Sequence, residues 1–312
     1  MMRTFRALAV FAAATALAAL GCTHGRTAPP QPSPFPSTEF PSTDGNYLMD
    51  FLEAADAQGH DRRIRIVSLA PSLTEIAYAI HCDDELIGDT TFDDYPPAAK
   101  KLPHIADLSH VDLEALAKLR PTAVLALHDE EKEGSEIRER LGVPVNYLPN
   151  RGIEDVFADI AGVGKACGTT LYADEQTAIV RTGIRLIAAK AAHETQKPRV
   201  LFLLGLPGFT AGKSSYLDDL IRLAGGINVA GDVDQAYPDL SGEAIVAMQP
   251  DVIVVGREVP FGEDVRSREP WRSLAAVRSG RVEISPDDDI LERPGPRIDE
   301  GLAWLEKAIH KR

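Results

Sequence analysis

Acidic pairs and histidines are the residues of this chain that could act as acid, base or metal ligand. Adjacent carboxylates occur at Asp93 and Asp94 and at Asp287 to Asp289, but such runs are more often solvated turns than acid/base pairs. The eight histidines include no H-E-x-x-H or comparable metal spacing. Three of them are expected to be solvated loop residues, namely His104, His110 and His128. No G-x-S-x-G elbow or Gly-rich phosphate loop is present, so the sequence predicts no catalytic set, no metal site and no resident cofactor.

Two loops carry side chains suited to holding a ligand. The segment TFDDYPP, with Phe92 and Tyr95, follows a strand predicted at Glu85 to Asp89, and ligands of open α/β sheets bind at the carboxyl ends of strands. The segment ERPGPRI is stiffened by two prolines and carries Arg293 and Arg297. The alternative, which the spacing equally allows, is that the rings of Phe92 and Tyr95 only pack within their own loop.

A repeated phrase predicts how these loops are positioned. Residues 111–127, VDLEALAKLRPTAVLAL, align with residues 240–256, LSGEAIVAMQPDVIVVG, so that Glu114 matches Glu243 and Pro121 matches Pro250. Each copy predicts a short amphipathic helix, a proline that ends it and a buried parallel strand. Helix, proline and strand also recur by chance in α/β proteins, but the matched glutamate favours a pseudo-repeat with one copy in each of two lobes.

A helix without proline, Leu171 to Thr195, lies between the two copies. About 25 residues make a rod of roughly 37 Å, which suits a connection between lobes, although a core crossover helix is the alternative. The predicted fold is α/β: two lobes, each with a central mainly parallel sheet flanked by helices, joined by one long helix. The N-terminal lobe should hold about four strands. The predicted boundaries are 61–168, 169–195 and 196–312.

Local capping signals were assigned to two helices. Thr169 or Thr170 can cap the linking helix, in which Tyr172, Ile179, Ile187 and Ala191 return at helical spacing. Ser72 can cap the helix that follows the first strand, with Glu75 completing a capping box.

The first 60 residues predict export. Residues 1–22 have arginines, an apolar run too short for a dependable membrane span, and a lipobox-like end at Cys22, which would be lipidated. An ordinary cleaved signal with an incidental cysteine is the alternative. Residues 23–60, rich in Pro, Ser and Thr, predict a tether.

Export to an oxidising compartment permits a disulfide between Cys82 and Cys167. The alternative is that both cysteines are buried free thiols.

The overall charge excludes one class of partner. A net charge of −14 without a basic stripe argues against nucleic acid.

Several phrases together resemble the periplasmic substrate-binding proteins of metal-chelate ABC importers, the helical-backbone class that serves cobalamin, ferric siderophores and haem. They are RIVSLAPSLTEIAYAI, ELIGDTTFDDYPP, LEALAKLRP, FTAGKSSYLDDLIRLAGGINV and ERPGPRI. The resemblance implies a monomeric lipid-anchored receptor, not an enzyme, on the periplasmic side of a bacterial membrane. It also implies that Glu114 and Glu243 dock onto the ABC permease dimer of the inner membrane.

The cobalamin-binding members match best by motif, and they imply the residues that hold the small-molecule chelate. These are Ser72, Phe92, Phe209, Tyr237 and the loop of Asp289, Ile290, Leu291, Glu292 and Arg293. Three cradle positions lack a ring, namely Leu108, Leu127 and Ile290. For haem, the alternative ligand, Arg293 and Arg297 would receive propionates and Tyr95 could ligate iron. Anionic ferric siderophores would use the same arginines.

Two hypotheses from other classes remain at this point. An exported metal-dependent enzyme would require His110, His128 and Asp289 to converge. A scaffold lipoprotein would have its cleft filled by side chains.

Overall fold

The computed structural model describes residues 64–107, 110–127, 131–149 and 151–311. The signal peptide, Cys22, the tether, Leu108 and His128 lie outside the described residues. None of the helices described is both long and apolar enough to cross a bilayer.

The N-terminal lobe is built on a parallel sheet whose strands are short, apolar and buried. The strand order is β3-β2-β1-β4-β5, with every pairing parallel. Its strands are β1 Ile66–Ser68, β2 Leu86–Thr90, β3 His104–Ala106, β4 Ala123–Leu127 and β5 Val145–Leu148. Its helices are α1 Pro71–Ala79, α2 Leu113–Leu119, α3 Glu131–Leu141 and α4 Ile153–Cys167. The expectation of four strands was wrong by one, because β3 has only three residues and His104 was placed in a loop.

The C-terminal lobe repeats this plan around β6. Its sheet has the order β10-β9-β6-β7, and β8 also pairs with β6; only β7 is antiparallel. The strands are β6 Arg199–Gly205, β7 Phe209–Thr210, β8 Ile227–Asn228, β9 Val252–Val255 and β10 Val282–Ile284. The helices are α6 Tyr216–Leu223, α7 Gly242–Met248, α8 Glu263–Arg266, α9 Ala275–Arg278, α10 Asp289–Glu292 and α11 Ile298–Ile309. The predicted α/β class with two mainly parallel sheets is confirmed.

The linking helix, α5, runs from Thr170 to Ala192, and so ends three residues before the predicted Thr195. Thr169 is its N-cap but makes no side-chain capping hydrogen bond. Its buried face is formed by Ala173, Val180, Ile184 and Ala191. Of the four residues predicted at helical spacing, Ala191 is buried and Ile187 packs against the core, whereas Tyr172 and Ile179 are 49% and 55% exposed. The prediction was wrong in the first half of the helix, where α5 is buried through Ala173 and Val180, one position further along the chain.

The start of α1 also differs from its prediction. The helix begins at Pro71, and Ala70 is an N-cap without a side-chain hydrogen bond, so the predicted Ser72–Glu75 capping box is wrong. Proline is favoured in the first turn because the missing amide would have no partner in the helix. Ser72 lies inside the first turn and is buried, and Glu75 is left to make other contacts.

A disulfide joins the ends of two helices in the N-terminal lobe. Cys82, just after α1, is bonded to Cys167, the last residue of α4, with the Cα atoms 5.8 Å apart. Beside it, the rings of His81 and Tyr172 meet edge to face at 4.6 Å. The beginning of α5 is therefore held to the N-terminal lobe.

The repeated phrase folds in the same way in both lobes. Asp112 caps α2 and Ser241 caps α7, each through a side-chain oxygen. Both helices have seven residues and end in a left-handed residue, Arg120 at φ 47° and Gln249 at φ 46°. The strand after each helix, β4 or β9, lies next to the first strand of its lobe, β1 or β6. The two copies thus occupy equivalent places in their sheets.

Candidate functional site

The loop after β2 is folded by a buried carboxylate. The backbone amide and hydroxyl of Thr90 both donate to Asp93 Oδ2, at 2.9 and 2.5 Å. Asp93 is 2% exposed, and this burial raises its pKa. Of the other loop side chains, Phe92 is partly buried, whereas Asp94 and Tyr95 are exposed. The tight turn at Asp93 therefore fixes where these three residues lie.

A second buried acid, Asp89, lies on the strand that leads into the same loop. Asp89, at the end of β2, lies with its Oδ1 2.5 Å from His104 Nδ1 on β3. Burial raises the pKa of Asp89 to about 7, although the hydrogen bond with His104 opposes the shift. His104 is therefore the partner of a buried acid on a strand, and its predicted place in a solvated loop was wrong.

Glu75 joins the two lobes through hydrogen bonds to two arginines. Its side chain is 2% exposed, and Arg297 donates to both of its oxygens from Nε and Nη2, at 2.8 Å each. Arg293 Nη1 donates to Glu75 Oε1 at 3.2 Å. Such charge-assisted, bidentate contacts are directional as well as strong. A carboxylate of α1 in the N-terminal lobe thus holds two guanidiniums of the C-terminal lobe.

Further carboxylates complete the contact. Arg293 also donates to Asp94 at 2.9 Å and to the Phe92 carbonyl at 3.3 Å, both in the loop after β2. Within its own lobe Arg293 pairs with Asp289 at 2.8 Å, and Arg297 lies 3.8 Å from Asp287. We call this set the interlobe ion cluster: Glu75, Asp94, Asp287, Asp289, Arg293 and Arg297.

Tyr95 adds an aromatic face to the interlobe ion cluster. The guanidinium carbon of Arg297 lies 3.8 Å from the centre of the Tyr95 ring, a cation–π distance. The ring is 42% exposed, so its other side faces solvent.

The loop that carries the arginines is firmly seated on the C-terminal lobe. Leu291 has no exposed surface and lies in the hydrophobic core, so it anchors α10. Glu292 is held beside Gly256, and burial followed by the charges of Asp288 and Asp289 raises its pKa to about 8. A Cβ on Gly301 would lie 2.0 Å from the Ile290 carbonyl oxygen, so α10 contacts the backbone of α11.

The first turn of α1 also lies near this loop. A Cβ on Gly295 would lie 3.9 Å from Ser72 Cα and Cβ, so the proline-flanked glycine is close to Ser72. Ser72 is thus a neighbour of the loop between Arg293 and Arg297.

Three further aromatic residues belong to the C-terminal lobe. The rings of Phe209, on β7, and Tyr237 are 6.3 Å apart and tilted. Tyr216, at the start of α6, is 1% exposed, and its hydroxyl has no hydrogen-bond partner among the described residues. Its pKa is raised by burial first, then by the charges of Tyr237 and Glu75. Tyr216 is thus part of the hydrophobic core, whereas Phe209 and Tyr237 form a ring pair.

The structure brings together most of the residues singled out from the sequence. Those at the interlobe contact are Ser72, Phe92, Tyr95, Asp289, Arg293 and Arg297. Sequence reasoning missed Glu75, Asp94 and Asp287 as partners of the arginines. The signal for Glu75 was present but was assigned to a capping box, and only the fold shows that α1 turns it toward the other lobe.

Metal chemistry finds no support in the part of the chain that is described. No group of three or more His, Cys, Asp or Glu residues there could hold a metal ion. His110 lines a hollow of about 80 Å³ with Lys132 and Glu136, and Asp289 is instead paired with Arg293. The convergence of His110 with Asp289 that a metal-dependent enzyme would need is therefore absent from the described residues.

The two matched glutamates occupy equivalent exposed positions. Glu114 is the second residue of α2 and Glu243 the second of α7, each beside the capping residue. The Glu114 side chain is 80% exposed and pairs with Lys118 at 2.7 Å. Backbone and Ser241 hydrogen bonds lower the pKa of Glu243, so it is ionised at neutral pH. Each lobe thus presents one carboxylate at the start of a short helix.

Two α/β lobes, one linking helix and a contact built from both lobes define a bilobal ligand receptor. The chain belongs to the periplasmic binding protein family, whose model matches residues 66–288.

The chain is also similar to individual members over most of its length. It is 30% identical over 268 residues to the uncharacterized ABC transporter substrate-binding lipoprotein YvrC of Bacillus subtilis. This alignment covers 82% of this chain and 84% of YvrC. It is 29% identical over 257 residues to the cobalamin-binding protein of Halobacterium salinarum, an alignment that covers 79% of this chain and 69% of that protein. The periplasmic heme-binding protein RhuT from Roseiflexus sp. RS-1 superposes with a TM-score of 0.71 at 29% identity, covering 79% of this chain and 98% of that one.

Proposed function

We propose that this protein captures a metal chelate between its lobes and delivers it to an ABC permease in the membrane. The chelate is a cobalamin or related corrinoid, or a ferric siderophore, and it is cargo rather than a resident cofactor. The observation that carries the proposal is the convergence of loops from both lobes on Arg293 and Arg297. Binding proteins hold small ligands where two lobes meet. The names of the relatives that bind cobalamin or heme support the same class of ligand.

The ligand proposal is tested by calorimetric titration of the full chain in mild detergent. Cyanocobalamin is the first probe, followed by ferrioxamine B and hemin. We expect saturable one-to-one binding of at least one of them. The aromatic residues Tyr95, Phe209 and Tyr237 supply rings for a planar or bulky ligand. Absence of binding by all three would contradict the proposal.

Delivery is proposed to depend on Glu114 and Glu243. Both carboxylates are exposed, lie at matched places in the two lobes and are free of contact with the interlobe ion cluster in the described structure. Two ion pairs at separate points would fix the orientation of the receptor on a permease dimer more than they would increase affinity.

The docking proposal is tested with the double variant Glu114→Ala, Glu243→Ala. We expect unchanged affinity for the bound probe but transport reduced to background, measured as uptake of labelled chelate into vesicles that contain the permease. The matched control replaces exposed acids elsewhere in the two lobes, Glu139→Ala with Glu263→Ala, and should transport normally. Loss of chelate affinity in the first double variant would place these glutamates in the binding site instead.

Anchoring is proposed through a lipid on Cys22, in line with the lipoprotein named among the relatives. The receptor would then act as a monomer held by its tether on the outer side of the cytoplasmic membrane. The Cys22→Ser variant should move from the membrane to the soluble fraction, and membrane retention of that variant would contradict lipidation.

A further inference from the structure

The guanidiniums of Arg293 and Arg297 are already occupied by protein carboxylates. Arg297 donates to Glu75 from Nε and Nη2, and Arg293 donates to Glu75, Asp94 and the Phe92 carbonyl. A guanidinium offers five N–H donors in a fixed fork. Four protein groups surround the two terminal nitrogens of Arg293, whereas Arg297 gives two of its five donors to Glu75. An anionic group of a ligand would therefore have to displace a protein group from the terminal nitrogens of Arg293, and at Arg297 it would bind beside the Glu75 carboxylate.

The charge balance at this place is also negative. Four carboxylates, Glu75, Asp94, Asp287 and Asp289, surround two guanidiniums, an excess of two negative charges. Burial raises the pKa of Asp289 to about 6 despite Arg293, so Asp289 is still mostly ionised at neutral pH. A ligand carboxylate would meet repulsion from these groups in a partly buried environment, where charges are screened less than in water.

Glu75 differs from the other three acids because it is buried. Its side chain is 2% exposed, whereas those of Asp94, Asp287 and Asp289 are 30% to 48% exposed. Its three hydrogen bonds to the arginines bind it in place. Removing one member of a buried pair leaves its partners with uncompensated charge. Without the Glu75 charge, the two guanidiniums would gain attraction for an incoming anion.

From these contacts we propose that the site selects metal chelates without net negative charge, and that Glu75 is the residue that imposes this selectivity by neutralising Arg293 and Arg297. The inference rests on the proposed function and narrows its ligand class to uncharged or cationic chelates. Selectivity of this kind is a difference between affinities, set by repulsion of the wrong ligand as much as by attraction of the right one.

The test uses ligand series that differ only in charge. For corrinoids the series is cyanocobalamin and its monocarboxylic and dicarboxylic acids, in which peripheral amides are hydrolysed. For hydroxamates it is ferrioxamine B, its N-acetyl form and its N-succinyl form, with tails that are cationic, neutral and anionic. In whichever series binds, we expect the affinity of the full chain to fall about tenfold for each added negative charge. Equal or tighter binding of the anionic member would overturn the inference while leaving the receptor function intact.

The role of Glu75 is tested with Glu75→Gln. This variant should narrow the affinity ratio between the neutral and anionic members by about tenfold or more, because the arginines lose one neutralising charge. The matched control is Glu306→Gln, which removes another buried acid, paired with Lys190 at 2.6 Å on α5, and should leave the ratio unchanged. A ratio that shifts equally in both variants, or in neither, would overturn the assignment to Glu75.

A folding defect in Glu75→Gln would be seen in its thermal melt, and Asp94→Asn then takes its place. Asp94 is half exposed, so its replacement should leave the fold intact, and because it neutralises Arg293 from a more solvated position we expect a smaller narrowing of the ratio in the same direction. An unchanged ratio in Asp94→Asn would likewise overturn the inference. Failure of every parent compound and of hemin to bind is a distinct result, which would overturn the proposed function and the inference together.

Discussion

Asp159 is a buried acid whose protonation differs between the folded and the unfolded protein. It lies on α4 with no exposed surface, and neither carboxylate oxygen has a hydrogen-bond partner among the described residues. Burial, with a smaller effect from Asp155, raises its pKa from 3.8 to about 8. In the folded protein Asp159 is therefore mostly protonated at neutral pH, whereas in the unfolded chain it is ionised.

This difference predicts a pH dependence of stability. Between pH 4 and pH 8 the folded state keeps a proton on Asp159 that the unfolded state has lost, so the free energy of unfolding falls as pH rises. Asp159→Asn removes the titration, and we expect its stability relative to the parent to rise by about 2 kcal/mol or more from pH 5 to pH 8. Urea unfolding at both pH values measures this. A constant difference between the two proteins would contradict the assignment.

Among individual residues, the sequence revealed the arginines more readily than their partners. Arg293 and Arg297 stand out beside prolines in a short loop, so their place in a site was predictable. Glu75 precedes them by 218 and 222 positions, and a pairing over that distance depends on the orientation of α1 in the folded lobe. The predicted cap at Ser72 was wrong for a local reason. The helix begins at Pro71, and no side-chain hydrogen bond caps it.

At the scale of elements, the contact between α10 and α11 determines where the arginines lie. Gly301→Ala would place a methyl group 2.0 Å from the Ile290 carbonyl oxygen, and a backbone atom cannot move aside alone. We expect α10 to shift, a loss of about 1–3 kcal/mol in the free energy of unfolding, and weaker chelate binding. Lys307→Ala, on the exposed side of α11, is the control. Unchanged stability and affinity in Gly301→Ala would contradict this role for the close contact.

The elements that the sequence predicted well are those with long uniform apolar runs. The strands β4 and β9 lie within the two repeat copies, as predicted, and the linking helix α5 lies within three residues of its prediction, because buried strands and proline-free helices have clear patterns. The three-residue β3 was missed, since His104 breaks the apolar run and is held there by Asp89 rather than by apolar burial. The face of α5 was predicted only in part, because packing against the neighbouring helices buries Ala173 and Val180 rather than Tyr172 and Ile179 in its first half.

At the scale of the whole molecule, the linking helix restricts how the lobes can move. The disulfide and the His81–Tyr172 contact lie at its start, and Lys190 near its end pairs with Glu306 of α11 at 2.6 Å. Between these points Arg181 pairs with Glu154 at 2.8 Å. A helix held along its length permits only small hinge motion, unlike a flexible two-strand connection.

We therefore expect little closure when a chelate binds. Spin labels at Lys100→Cys and Arg278→Cys, both exposed and in different lobes, should show a distance change below about 5 Å on addition of the chelate that binds. The same labels in urea provide the control for a broad distance distribution. A shift well above that limit would mean that α5 bends or detaches from one lobe.

The position of α11 has a consequence for how the chain matures. This twelve-residue helix at the end of the chain packs on α5, and the Lys190–Glu306 pair joins residues 116 positions apart. Until α11 has been synthesised, the linking helix lacks one of its packing partners, and the hydrophobic core that contains Ile298, Leu302 and Leu305 stays incomplete. The compact two-lobed fold therefore forms only after synthesis has passed α11.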